Sequence, residues 1–438
     1  MQLIGSSSLL RRGAARVGAV SAARWRRVLL ALYLLAALGD AAGKALASSP
    51  GLNRALTSVV HSGATHRVAA ARWPRGNFEI FRAASRHLVE GKDLYARYPE
   101  MLQDRFKYSP AFAVLFTPFA WLPWPLALFL WSACNALVLF VAVERLLPPR
   151  AAMIALSFLL LEVLRAMQNA QSNALVAGLI ILAFVAIERR RMWRAAFAVA
   201  LGASVKIFPL AALTFAIPRR RSIRTGLATA AAGIGLLLLP LLVTPPATLL
   251  AQYRSWHAIE SLDTGQRWFS VMELVHRWTG IDWPNWPIQA LGTLALLAPL
   301  ALRRERWNEA RFRLLYLCSV LLYVVLFNHQ AERASFVIAF AGMAIWFASE
   351  PHARWRSALF GLAFLTMPLM STLLPVTAAL RSPAGMVYRL ALPTFVIWIV
   401  LQVELWRAHR LKATPPSGVR GGELPAARRQ PTATLVGR

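Results

Sequence analysis

The chain has 438 residues, 57% of them hydrophobic, a mean hydropathy of +0.49 and a formal net charge of +30. So many continuous apolar runs exceed what a water-soluble domain can bury, and a membrane barrel would instead alternate apolar and polar residues, so spanning helices remain. The charge does not mark a nucleic-acid binder, because the arginines fall in short clusters between apolar runs, the pattern that orients helices in a membrane.

In chain order, residues 1–27 carry Arg11, Arg12, Arg16, Arg24, Arg26 and Arg27 and read as a basic cytoplasmic N-terminus. The first apolar run, Val28–Leu38, has no clear small-residue cleavage signal and reads as a retained helix. Asp40, near its end, reads as a residue bonded to a loop in preference to a site carboxylate. Residues 28–406 form an all-α, polytopic transmembrane domain of roughly ten spans plus a short helical hairpin. Residues 407–438, rich in Pro, Gly and Arg, read as a disordered cytoplasmic tail.

Orientation follows from the later basic clusters at Arg145/Arg150, Arg189–Arg194, Arg219–Arg224, Arg303–Arg313 and Arg354/Arg356, all assigned to the cytoplasm. The short loops at about 166–173, 328–334 and 376–388, poor in basic residues, then face outward. So do two long segments, about 47–110 and about 244–289, since long loops are largely exempt from the charge rule. The clusters at 189–194 and 219–224 fall on one side only if the chain between them turns back, with its tip at Lys206-Ile207-Phe208-Pro209, where proline bars an ordinary helix interior.

Polar residues beside apolar spans are costly and mark sites. Asn77, Glu79, Asp104, Lys107, Tyr108, Gln168, Asn169, Gln171, Asn173, Lys206, Arg267, Asn328, His329 and Glu332 all fall on the outer side of this topology. His329 and Glu332 share a face at a helix start, and an imidazole beside a carboxylate is a candidate general base; the competing role for His329 is a loop hydrogen bond. Lys206 reads equally as a phosphate contact or as a lysine snorkelling to headgroups. Gln171 and Asn173 suit either sugar hydroxyls or interhelical hydrogen bonds, with the latter favoured. Trp268, Trp283 and Trp286 read as an interfacial belt. Cys134 and Cys318 lie within apolar runs as small core residues. No metal motif and no glycine-rich phosphate loop is present, so neither a metal nor another cofactor is expected.

Five stretches resemble glycosyltransferase family 87, the polyprenyl-phosphate-mannose-dependent membrane proteins. They are Asn77-Phe78-Glu79-Ile80-Phe81-Arg82 running to Glu90-Gly91-Lys92-Asp93-Leu94-Tyr95, Phe106-Lys107-Tyr108-Ser109-Pro110, Gln171-Ser172-Asn173-Ala174-Leu175, Val205-Lys206-Ile207-Phe208, and Asn328-His329-Gln330-Ala331-Glu332. The resemblance spans about 75–405. It implies a GT-C architecture with a structured first outer loop, and a hexosyltransferase that uses a polyprenyl-phosphate sugar donor, usually mannosyl, with inversion. It also implies a glycan or glycolipid acceptor, contact with membrane lipid, and a site on the periplasmic or outer side of the inner membrane. Asn77 stands where better-known members have an aspartate, and an amide cannot act as a base. The catalytic candidates are therefore His329, Glu332, Glu79 and Asp104, with His329 preferred and supported by Glu332. Asn77, Lys107, Tyr108, Gln171, Asn173, Lys206, Arg267 and Asn328 are the donor- and substrate-binding candidates. A transporter or flippase of a lipid-linked or polar solute is the competing class. Such proteins usually show internal repeats and a site near the midplane, whereas this chain clusters its polar residues on one side.

Overall fold

The computed structural model describes residues 5–48, 76–101, 103–262, 265–350 and 353–407, with side chains from Ser21 onward except Leu262. Residues 49–75 of the first expected outer loop and the expected tail from 408 lie outside the described residues. Within them there are helices and no strand.

The α-helices of nine or more residues are α1 (Gly5–Ala47), α2 (Asn77–Val89), α3 (Trp124–Leu146), α4 (Pro149–Gln168), α5 (Asn173–Glu188), α6 (Met192–Val205) and α7 (Ser222–Leu238). They continue with α8 (Pro246–Leu262), α9 (Val271–Thr279), α10 (Asn285–Leu302), α11 (Ala310–Leu326), α12 (Phe336–Ser349), α13 (Arg354–Phe364) and α14 (Pro383–Trp406). Prolines open α4, α8 and α14, where the missing N–H costs nothing. The first helix begins at Gly5, far upstream of the apolar run at Val28, because the alanines and arginines before it are good helix formers.

Six helical stretches among the described residues are long and apolar enough to cross a membrane: Ser21–Ala47, Trp124–Leu146, Pro149–Gln168, Ser222–Leu242, Asn285–Leu302 and Pro383–Trp406. The remaining apolar helices are shorter. With 16 residues, α5 is about 24 Å long against a hydrocarbon core of about 30 Å. Its sides are buried almost all round, as are those of α11 and α12, so these helices form the interior of the bundle. α5 packs on α3 and α6, and α12 on α4 and α11. A Cβ on Gly178 would come 2.9 Å from the Leu139 nitrogen, so glycine there lets α3 and α5 meet backbone to backbone. α7 instead turns Ile223, Leu227 and Ile234 outward.

The hairpin is present. α6 ends at Val205, Lys206 is extended (φ −147°, ψ 137°), and the chain returns as a 3-10 helix over Phe208–Ala216. A Cβ on Gly202 would lie 2.9 Å from the Cβ of Pro209, so the two arms close tightly only with glycine at that point. After the return arm, the Arg219 Nε donates to Glu188 at 3.0 Å, and Arg313 Nε donates to the same carboxylate at 2.9 Å. Arg311 and Arg356 converge likewise on Glu404, at 3.0 and 2.8 Å, and Arg189 donates to the Arg145 carbonyl at 3.0 Å. Basic clusters far apart in sequence therefore meet at one end of the bundle, tied by shared carboxylates.

Candidate functional site

At the opposite helix ends lies a cavity of about 690 Å³. Five segments wall it: the start of α2, the strand-like stretch 104–108, the turn after α4, the tip of the hairpin, and the loop 328–332, with α8 closing one side.

Local chemistry fixes each wall. Gly76 has a positive φ of 52°, and a Cβ there would sit 3.2 Å from the Asn169 carbonyl oxygen. Asn77 Nδ2 donates to that same carbonyl at 3.1 Å, which docks the start of α2 on the end of α4. The turn itself is strained, since Ala170 has φ 52°, a left-handed conformation costing an L-residue about 1–2 kcal/mol. Trp131 Nε1 donates to the Ala170 carbonyl at 3.0 Å and holds it there. Phe81, Phe106, Phe112 and Phe116 pack edge-on or tilted around Trp131 and Tyr108, and Tyr95 donates to the Tyr108 carbonyl at 2.8 Å. In the last wall, Asn328 Oδ1 accepts from the Gln330 N–H at 2.9 Å, an Asx turn, and the Ala331 carbonyl accepts from the Phe269 N–H at 3.1 Å.

A hydrogen-bonded series crosses the cavity. Tyr108 donates to Gln171 Oε1 at 3.3 Å, and Gln171 Nε2 donates to Glu332 at 3.1 Å. Enclosure pushes the Tyr108 phenol above its ordinary pKa, so it serves as a neutral donor. The Lys206 ammonium lies over the rings of Tyr108 (5.9 Å) and Phe208 (6.0 Å) and has no hydrogen-bond or ion-pair partner among the described residues. Glu332 is the carboxylate whose charge acts on it. The arrangement offers a cation without a bound counter-ion, a carboxylate, an imidazole at His329 and several amides.

Nine of the residues singled out in the sequence line this one cavity: Asn77, Asp104, Lys107, Tyr108, Gln171, Lys206, Asn328, His329 and Glu332. Three do not. Glu79 is half-buried in the first turn of α2, outside the lining. Asn173 is fully buried at the start of α5, and neither amide atom has a hydrogen-bond partner among the described residues. Arg267 is committed within its own loop, pairing with Asp282 and donating to the Trp283 carbonyl at 2.8 Å. Asp40 pairs with Lys44 at 2.8 Å, and Lys44 also reaches the Met167 carbonyl at 3.2 Å. Trp268, read as part of a belt, lines the cavity, while Trp283 and Trp286 are exposed outside it. Sequence reasoning missed Arg105, Trp256, His257 and Glu260 in the lining. The last three sit on one face of α8 at helical spacing, a signal hidden by treating 244–289 as a loop.

A second, apolar groove of about 490 Å³ runs along α7, past Gly226, Ala230, Gly233 and Ile234, and shares Ile207 and Trp256 with the polar cavity. A polytopic helical membrane protein with a polar cavity at one end, opening beside an apolar groove, fits a membrane-embedded glycosyltransferase. The family model for glycosyltransferase family 87 matches residues 106–328, half of the chain, and the chain belongs to that family. The match takes in Lys107, Tyr108, Gln171 and Lys206 and stops at Asn328, just short of His329 and Glu332. No curated protein matches the chain.

Proposed function

We propose that the protein transfers a hexosyl unit, in our reading mannosyl, from a polyprenyl-phosphate donor to an acceptor hydroxyl on the non-cytoplasmic side of the inner membrane. The observation that carries this reading is the Lys206 ammonium, without a hydrogen-bond or ion-pair partner among the described residues, next to Ile207, where the polar cavity meets the apolar groove. A polyprenyl phosphate has that same division: a dianionic head on the leaving oxygen and a long apolar chain. In this scheme the prenyl chain lies along α7, and Lys206 faces the phosphate.

His329 accepts the proton of the acceptor hydroxyl, since a neutral imidazole can take a proton near neutral pH. The oxygen attacks the anomeric carbon as the bond to phosphate oxygen breaks. Polyprenyl phosphate departs with the bonding pair, its charge stabilised by Lys206 and assisted by Lys107. A single displacement inverts the anomeric centre. Glu332, held by Gln171, and Asn77, held by Asn169, orient sugar hydroxyls.

The test is transfer of labelled mannose from synthetic polyprenyl-phosphate mannose by membranes containing the protein. Transfer that Lys206→Gln removes is the expected result. Transfer from a nucleotide sugar with no lipid-linked donor present would overturn the reading.

A further inference from the structure

A separate cavity of about 610 Å³ opens at the same ends of α4 and α14, on the other side of the loop that carries His329 and Glu332. Arg165, Arg333, Arg381 and Arg389 all line it. They come from the end of α4, the turn before α12, and the start of α14 with its approach, three places far apart in sequence. The other basic clusters gather at the opposite end of the bundle, so four guanidiniums here run against the charge pattern of the chain.

Among the described residues, one carboxylate answers them. Glu162 pairs with Arg333 at 2.7 Å, and Arg165, Arg381 and Arg389 have no ion-pair partner among the described residues. Arg333 and Arg389 both donate to the single hydroxyl of Ser371, at 3.2 and 2.8 Å, which holds two cationic groups close together. Both arginines are more than nine-tenths buried. Two further polar atoms are buried with no hydrogen-bond partner: Arg165 Nε and Thr372 Oγ1. Arg389 also donates to the Leu380 carbonyl and Arg165 to Gln168, each at 3.0 Å, yet four like charges against one carboxylate and two unpartnered buried atoms stay costly unless an anion joins them. The rim is different in character: Leu373 and Leu374 are 62% and 44% exposed.

We propose that this cavity binds the phosphate headgroup of an anionic membrane lipid, with the acyl chains lying past Leu373 and Leu374. Arginine suits the task because its planar fork donates two parallel hydrogen bonds to phosphate oxygens. The exposed leucines favour a lipid over a free phosphate ion, which would gain nothing from them.

The experiment is native mass spectrometry of the full chain in detergent, titrated with dioleoyl phosphatidic acid or dioleoyl phosphatidylcholine. Expected are a strong preference for phosphatidic acid and at least a tenfold loss of bound phosphatidic acid in Arg165→Gln/Arg381→Gln. Neither residue is in an ion pair among the described residues, and Arg354→Gln, outside the cavity, keeps full binding. Equal binding of the two lipids by the wild type, or undiminished phosphatidic acid binding in the double variant, overturns the proposal. Displacement of the lipid by micromolar inorganic phosphate would overturn the lipid as occupant and assign the cavity to the free ion. Binding is read without any transfer reaction, so the outcome is independent of the proposed enzymatic activity.

Discussion

Arg333 grips Glu162 through two parallel hydrogen bonds of 2.8 and 2.7 Å, across a separation of 171 residues. Glu162 is 1% exposed, and Arg333 also donates to Ser371 and to the Met367 carbonyl. Because Arg333 directly follows Glu332, this buried pair fixes the segment that brings His329 and Glu332 to the polar cavity.

Arg333→Ala leaves a carboxylate buried without its partner, a loss of about 3–5 kcal/mol for a pair of this kind. Thermal unfolding in detergent should show a clear fall in Tm. The double variant Arg333→Met/Glu162→Met removes both charges and should recover most of that stability, since an apolar replacement of a buried pair is often near neutral. A double variant as unstable as Arg333→Ala would mean that the pair is not what holds this loop to α4.

Lys206 has no ion-pair partner among the described residues, so removing its charge breaks no salt bridge seen there. Lys206→Gln should therefore fold normally. In the proposed transfer it should lose roughly 10²–10³-fold in kcat, the effect of deleting one electrostatic stabiliser of developing charge. Lys206→Arg keeps the charge and should retain part of the rate. Unchanged turnover in Lys206→Gln would leave the leaving phosphate without its assigned cation.

His329 and Glu332 both line the cavity, and the proposal gives them different work. A general base contributes about 10²–10⁴-fold, so His329→Ala should fall by that much. Glu332→Gln keeps an acceptor for Gln171 and should act mainly on KM for the sugar. The reverse pattern, with Glu332→Gln dead and His329→Ala active, would move the base role to the carboxylate.

Much of this site was legible because its parts carry strong local signals. Pro209 between two arginine clusters announces the hairpin, and so the position of Lys206, without any knowledge of packing. Asn-His-Gln-Ala-Glu stands out because it interrupts two apolar runs. Other parts were silent for physical reasons. Glu162 lies within an apolar helix, and only the distant Arg333 explains it. Trp256, His257 and Glu260 reach the cavity because α8 packs against it; their helical spacing is visible in the sequence, but only the fold shows that this face turns to the cavity. Arg267 stood among the donor- and substrate-binding candidates, but Asp282, fifteen residues on, claims it. Arg165, Arg333, Arg381 and Arg389 were scattered at the edges of loops that read as poor in basic residues, and only the fold collects them.

The docking of α2 gives a last prediction. Gly76 has φ 52° and ψ −137°, a region open to glycine and strained by about 1–3 kcal/mol for other residues. Its missing side chain also admits the Asn169 carbonyl, which a Cβ would meet at 3.2 Å. Gly76→Ala should thus displace the start of α2 and break the bond from Asn77 to Asn169, carrying Asn77 away from the cavity. Asn77→Ala removes only that side chain and leaves the backbone in place. If the position of α2 matters for transfer, Gly76→Ala should lower both Tm and activity, while Asn77→Ala lowers activity with little change in Tm. A Gly76→Ala protein with the Tm and activity of the wild type would mean that the carbonyl contact is incidental and that α2 is held by its aromatic core alone.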